Sequence, residues 1–287
     1  MPRFDLRGLA RLARLACAAG LQMLLAATLV ACGGGGSDGG TGLGGDSGAT
    51  NPPGPVVYGS DWLVSMDYGG FVLLYDCTQH VALRYDYVLT VDTGNYPRPA
   101  SFTLDPTLPA GCGQQTSTAS YASDVPGWDR GHLVTSNHMD YNATYIRRAN
   151  YMSNVVPQVS TFNQGIWLEA ENVAECYRDL APVHVYGGVV FGDPSNDYFL
   201  ASHGVPTPEK FWKVIVTTDP ATGTIKVIAW IIPNQAGLGR LDSYLVSIEA
   251  LEQLLGAAMV GAVDVPAAAK ASKPAVTWPL PAGCVLG

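Results

Sequence analysis

The chain has 287 residues, with 16 Lys and Arg against 24 Asp and Glu, a formal net charge of −8. Hydrophobic residues make up 47% and charged residues 14% of the chain, enough apolar material for a packed core, which excludes wholesale disorder. The length fits one large domain or two small ones, and the acidic balance argues against a basic coat protein for nucleic acid.

At the N-terminus, Arg3, Arg7, Arg11 and Arg14 precede an apolar stretch from Leu15 to Ala31 that ends in Leu29-Val30-Ala31-Cys32. Positive residues ahead of a short apolar run are the layout of a secretory signal. The ending also resembles the lipobox of bacterial lipoproteins, where cleavage precedes the Cys and that Cys carries lipid; here it is Cys32. An ordinary signal peptide with a Cys near its cut site is the alternative. Residues 33–55 are rich in Gly and Ser with a Pro-rich end, a flexible tether that cannot form a core. The expected division is a signal peptide over 1–31, a tether over 32–55, a folded domain over 56–263 and an irregular Ala/Pro-rich tail over 264–287. Lipid plus tether would anchor the protein to a membrane without spanning it, giving an exported, envelope-bound protein at the outer membrane.

Loss of four Arg and Asp5 with the signal leaves 12 basic against 23 acidic residues, net −11. Beyond Cys32, Cys77, Cys112, Cys176 and Cys284 remain, and an even number in an exported domain favours two disulfides. Proximity in sequence favours Cys77–Cys112 with Cys176–Cys284, and no two of these lie in zinc-binding spacing.

Within the domain, 71–75 and the alternating, β-branched and aromatic run 81–91 predict strands, and 92–128 predicts loop. Residues 160–180 predict a helix capped by Ser160 or Thr161. Residues 183–191, 211–217 and 224–232 predict strands, the last strongly buried. Residues 241–255 predict a second helix, with Leu245, Ile248, Leu251 and Leu255 at helical spacing. Strands and helices mix without regular βαβ alternation, so the fold class is α+β.

The chemistry concentrates in Asp129-Arg130-Gly131-His132 and in two segments downstream, 154–158 and 163–171. A carboxylate, a permanent cation and a group that titrates near neutrality fall within four positions. Asn163, Trp167 and Glu171 follow at i, i+4 and i+8 of the predicted helix, where Glu171 lies roughly 80° around from Asn163. An amide oxygen near a carboxylate suits a hard cation such as Mg²⁺ that keeps most of its waters. A neutral His can take a proton from an attacking water, and an Arg can hold a phosphate or neutralise charge growing on it. Together these parts describe metal-assisted phosphodiester hydrolysis. Glu169 is an alternative acid, Trp167 reads as core packing, His138 offers only a weak zinc pairing with His132, and Arg147-Arg148 is either a backbone contact or a solvated face.

The Asp-Arg-Gly-His tetrad, with Asn154, Gln158, Asn163, Trp167 and Glu171 spaced behind it, resembles the DNA/RNA non-specific endonuclease family, the ββα-metal (His-Me finger) nucleases. The resemblance extends more loosely over about 68–257. It implies a central, mostly antiparallel sheet flanked by helices. It also implies His132 as general base, Asn163 as the direct protein ligand of Mg²⁺ (Mn²⁺ or another divalent ion being compatible), and Glu171 holding metal-bound waters. Arg130 would contact the scissile phosphate, Asp129 would orient the site, and Asn154 would support the base or the phosphate pocket. The upstream Arg of the family matches Arg98 loosely, with Arg84 nearby. Substrates would be DNA and RNA cut with little sequence preference to leave 5′-phosphate ends, and a homodimer is a compatible assembly. The rival is an envelope lipoprotein that keeps the fold for binding alone. At net −11, binding would rest on a local cluster of Arg98, Arg130 and Arg147-Arg148, with a shallow salt dependence.

Overall fold

The computed structural model describes residues 62–261 and 263–286; the expected signal peptide, the tether and Cys32 lie outside the described residues. In chain order the strands are β1 (Leu63–Asp67), β2 (Val72–Asp76), β3 (Val81–Leu89), β4 (Trp128–His132), β5 (Val155–Val159), β6 (Val183–Val190), β7 (Lys210–Thr218), β8 (Ile225–Pro233) and β9 (Leu245–Val246). The helices are α1 (Ala143–Ala149), α2 (Leu168–Arg178), α3 (Leu200–His203), α4 (Ile248–Leu255), α5 (Ala257–Val260) and α6 (Ala267–Ala271). None of the described helices is long and apolar enough to cross a membrane.

Seven strands form one sheet in the order β1-β2-β3-β6-β7-β8-β9, with every neighbouring pair antiparallel. The sheet is covered on both faces, which is why β7 and β8 read as continuous apolar runs rather than alternating ones. Along β7, Phe211 and Ile215 join the larger core with α2, while Trp212 and Val214 join a second core with α4 and α5. The same alternation places Lys213 on the α2 side. β4 and β5 pair separately as a two-stranded antiparallel ribbon, and the helical segment that follows completes a ββα unit. The α+β class and antiparallel sheet are as expected.

Two predicted helices are not continuous. In 160–180 the chain turns helically over Phe162–Trp167, leaves helical geometry at Gly165 (φ −112°, ψ −109°), and resumes as α2. In 241–255 a short turn, Leu241–Tyr244, gives way to β9, whose Leu245 pairs with Trp230; only then does α4 begin. The Ser247 hydroxyl accepts from the Ala250 N–H and sets that start, since a capping side chain satisfies an otherwise orphaned backbone donor. Leu245 thus packs as a strand residue, and helical spacing alone misassigns it. The short β1, the polar β4, and α1, which Asn142 caps by accepting from Thr144 N–H, had no strong periodic signal.

Both disulfides form as paired by proximity, Cys77–Cys112 and Cys176–Cys284. Among the described residues the tail has no regular structure apart from α6, yet it is fastened. Beside the Cys176–Cys284 bond, the Trp278 ring lies 5.0 Å from that of Tyr177, the Tyr177 hydroxyl donates to Pro279 O, and Lys226 Nζ stands 4.7 Å from both rings.

Candidate active site

Side chains on a strand alternate between faces. On β4 this sends Arg130 and His132 to one face and Asp129 to the other, with Gly131. Pairing with β5 puts Gln158 opposite Asp129 and Val156 opposite Gly131. The buried Gln158 side chain lies across Gly131, where an added Cβ would stand 2.1 Å from its Cδ and Oε1. The glycine of the tetrad is therefore required for space: it lets the ribbon close over the glutamine.

Arg130 and His132 line a cavity of about 490 Å³ together with Arg98, Asn163 and Glu171. Asp129 works from behind. Its Oδ2 accepts from Asn163 Nδ2 (2.9 Å) and Gln164 Nε2 (2.8 Å), and its Oδ1 from the Ser160 hydroxyl (2.7 Å). Burial pushes the Asp129 carboxyl up, but these three donors outweigh it and hold it below its ordinary value. With its amide N–H committed to Asp129, Asn163 is left with its carbonyl oxygen as the group to offer a ligand. The break at Gly165 separates Asn163 from Glu171, so their shared cavity follows from the kink and the Asp129 anchor rather than from the phase of one helix.

His132 is positioned by Asn150. The Asn150 Nδ2 donates to Ser136 Oγ (3.0 Å) and to Ile146 O (2.8 Å), a carbonyl that can only accept, so its Oδ1 faces His132 Nε2 at 3.3 Å. Nε2 is then the protonated nitrogen of the neutral ring and Nδ1 the free base. Burial, and then the charge of Arg98, push the His132 pKa down to about 3, so the ring is neutral at neutral pH. The Phe102 ring organises the cations. The Arg130 guanidinium sits 4.3 Å and that of Arg98 5.7 Å from its centroid, and the His132 ring lies 5.2 Å away. Arg130 also donates to Thr118 O at 2.6 Å. Burial, then Arg130, lower the Arg98 pKa, yet a guanidinium stays charged.

Glu171 is 8% exposed; its Oε1 accepts from the Thr135 hydroxyl at 2.7 Å and stands 3.6 Å from Lys213 Nζ. Lys213 is fully buried over the Trp167 ring at 4.1 Å, and burial lowers its pKa to about 8 against the pull of Glu171. Trp167 itself packs between Phe162 and Phe211 in the core. Asn154 does not line the cavity. It is fully buried, accepting from Val134 N–H and donating to Val134 O and Ala149 O, and so fastens the segment directly after His132. Arg84 is directed elsewhere, donating to Ala258 O, and Glu169 lines a different cavity. Arg147 is exposed, whereas Arg148 donates to Tyr68 O. His138 is buried between the Tyr87 hydroxyl and Glu175, away from any pairing with His132.

Sequence reasoning missed Asn150, Thr135 and Lys213. Only Lys213 left a signal, as a charge inside an otherwise apolar strand. Asn150 and Thr135 act through tertiary contacts that no spacing reveals.

Comparison with known proteins identifies the family. The family model for DNA/RNA non-specific endonucleases matches residues 56–266. A nuclease of Nostoc sp. is 32% identical over 177 residues, covering 57% of this chain and 60% of its own length. Mitochondrial endonuclease G of Homo sapiens is 30% identical over 142 residues, covering 45% of this chain and 47% of its own. The chain thus spans about half to three-fifths of the length of these relatives. In fold it is similar to a chain from a crystal structure of the EndoG/EndoGI complex, with a TM-score of 0.51 at 22% identity, covering 66% of this chain and 82% of that one. The chain belongs to the DNA/RNA non-specific endonuclease family.

Proposed function

We propose that the protein is a divalent-metal-dependent endonuclease that hydrolyses DNA and RNA phosphodiesters with little sequence preference. The observation that carries this reading is the convergence on one cavity of a neutral His132, two cations (Arg98 and Arg130) and the amide oxygen of Asn163 beside Glu171. The donor set fits a hard ion: Asn163 presents an oxygen because Asp129 takes its N–H, and Glu171 supplies a fixed carboxylate. Asn163 would hold the ion directly and Glu171 would hold its waters; Mg²⁺ is the proposed ion. When bound, the ion supplies charge stabilisation at the phosphate and the leaving oxygen.

The protein's own groups do the rest. His132 Nδ1 takes a proton from a water as that water attacks phosphorus, while Nε2–H stays on Asn150 and keeps the ring in place. Arg130 and Arg98 face the phosphate and stabilise the charge that grows on its oxygens. Breaking the P–O3′ bond leaves a 5′-phosphate on one fragment and a 3′-hydroxyl on the other. Export, with a lipid on Cys32 holding the domain at the cell envelope through the tether, belongs to the same proposal and rests on residues 1–55 of the sequence.

A plasmid-nicking assay tests it. Purified protein should nick supercoiled plasmid and degrade RNA with Mg²⁺ or Mn²⁺ and stop on addition of EDTA. His132→Ala should lose roughly 10²–10⁴ in rate, the usual contribution of a general base. Absence of nicking with every divalent ion refutes the activity; an undiminished His132→Ala refutes the mechanism.

A further inference from the structure

The cavity has two apolar positions that hydrolysis does not use. Tyr96 is 50% exposed and Leu168 is 43% exposed, and both line it. They come from different segments, Tyr96 from the loop 95–98 that carries Arg98 and Leu168 from the first turn of α2 after Asn163 and Gln164. The Tyr96 backbone is pinned, its N–H donating to Asp140 O at 2.9 Å. Just before it, Gly94 packs so closely on Tyr141 that an added Cβ would lie 2.3 Å from Tyr141 Cα. The ring is thus carried on a fixed loop, yet among the described residues its side chain has no hydrogen bond, ion pair or ring contact. A large aromatic held rigidly at a cavity mouth and left uncovered is placed to receive a flat partner.

We propose that Tyr96 and Leu168 form a nucleobase subsite flanking the scissile phosphate, and that the site takes single-stranded nucleic acid in preference to duplex. This rests on the nuclease reading above and adds to it the class of strand the site accepts. Charge complementarity places the phosphate: Arg98 and Arg130 both line the cavity beside the Phe102 ring, and Tyr96 stands two residues from Arg98. Protein sites for single strands combine cations that track the backbone with aromatic rings on which bases stack, and such stacking tolerates any base. A volume of about 490 Å³ is a space roughly 8 Å on a side. That space receives about one nucleotide, so a duplex presents its scissile phosphate with the flanking base still stacked and away from Tyr96. A base can reach Tyr96 only when it is unstacked, and that is cheapest in a single strand.

The test uses the full chain and a set of DNA oligonucleotides of one sequence: single-stranded, duplex, and single-stranded with one abasic nucleotide. Cleavage positions are mapped along each. The wild type should cut the single strand with higher kcat/KM than the duplex and should under-cut a phosphate next to the abasic position. Tyr96→Ala should lower kcat/KM on the single strand on the order of 10-fold and erase the abasic contrast, whereas Tyr96→Phe should keep it. Leu168→Ala should weaken the contrast. Cleavage that ignores the abasic position, with Tyr96→Ala equal to wild type, overturns the subsite and leaves the nuclease standing. No cleavage of any oligonucleotide overturns the nuclease, and the subsite with it.

Discussion

Replacing Gly131 by Ala adds one methyl group where the structure has none to spare. The new Cβ would lie 2.1 Å from Cδ and Oε1 of Gln158 and 2.3 Å from its Cγ. Ordinary carbon contacts fall at about 3.5–4.0 Å, so the glutamine or the strand must yield by roughly 1.3 Å or more. Gln158 is fully buried and has no open side to swing toward. Overpacking of this kind costs roughly 1–3 kcal/mol, a fall of several degrees in Tm for a domain of this size. Activity should fall further than stability. His132 is the next residue, Asp129 and Gln158 are cross-strand partners, and a displacement of about 1 Å at a catalytic group costs on the order of 10² in rate. Neither amide atom of Gln158 has a hydrogen-bond partner, so Gln158→Ala removes the obstruction without orphaning another group. The double variant Gly131→Ala/Gln158→Ala should therefore recover both Tm and rate relative to Gly131→Ala. Thermal melts followed by circular dichroism, with initial nicking rates, complete the cycle. A Gly131→Ala protein with wild-type Tm and rate, or a double variant that is merely additive, refutes the steric account.

Three further outcomes are expected. Because burial and Arg98 hold the His132 pKa near 3, the base stays neutral as pH falls below the ordinary imidazole value, and the acid limb of activity should lie below about 6.5. Arg98→Ala removes a positive neighbour, so the His132 pKa should rise and the limb move to higher pH; titration of the ring by NMR checks this, and a downward move contradicts it. Asp129→Ala frees the Asn163 amide, and loss of such an orienting partner should raise the divalent-ion concentration for half-maximal activity by about 10–100-fold, which a Mg²⁺ titration measures and an unchanged midpoint refutes. Cys284→Ser opens a cross-link spanning 108 residues, worth about 4–5 kcal/mol on the chain-entropy account, so Tm should drop by about 10–20 °C in a melt, and a drop under about 2 °C would refute that account.

Much of the site was legible because its chemistry is local in sequence. Arg130 and His132 are two residues apart, so any strand there turns them to one face, and the tetrad with its spaced Asn163 and Glu171 carries the family pattern. Five strands of the large sheet, β2, β3, β6, β7 and β8, were legible from their apolar and β-branched runs, whereas the short edge strands β1 and β9 were not. The helix over 241–255 was misjudged because Leu245 fits helical spacing and strand pairing equally well, and only its partner Trp230 on β8 decides between them. The same holds for β4, whose polar residues have no strand propensity to speak of and are held extended by β5.

Residue pattern, cysteine number and the spaced motif thus determined the class of fold, the number of cross-links to expect and the chemical groups of the site, while the pairing Cys77–Cys112 and Cys176–Cys284 was fixed by the fold. The working arrangement of those groups depended on contacts between distant segments. Asp129 turns the Asn163 amide from 34 residues away, Asn150 selects the His132 tautomer from 18 away, and Lys213 reaches Glu171 from another strand of the core. Hydrogen-bond direction and burial set which atom can accept a proton or bind an ion, and neither exists until the chain has folded around it.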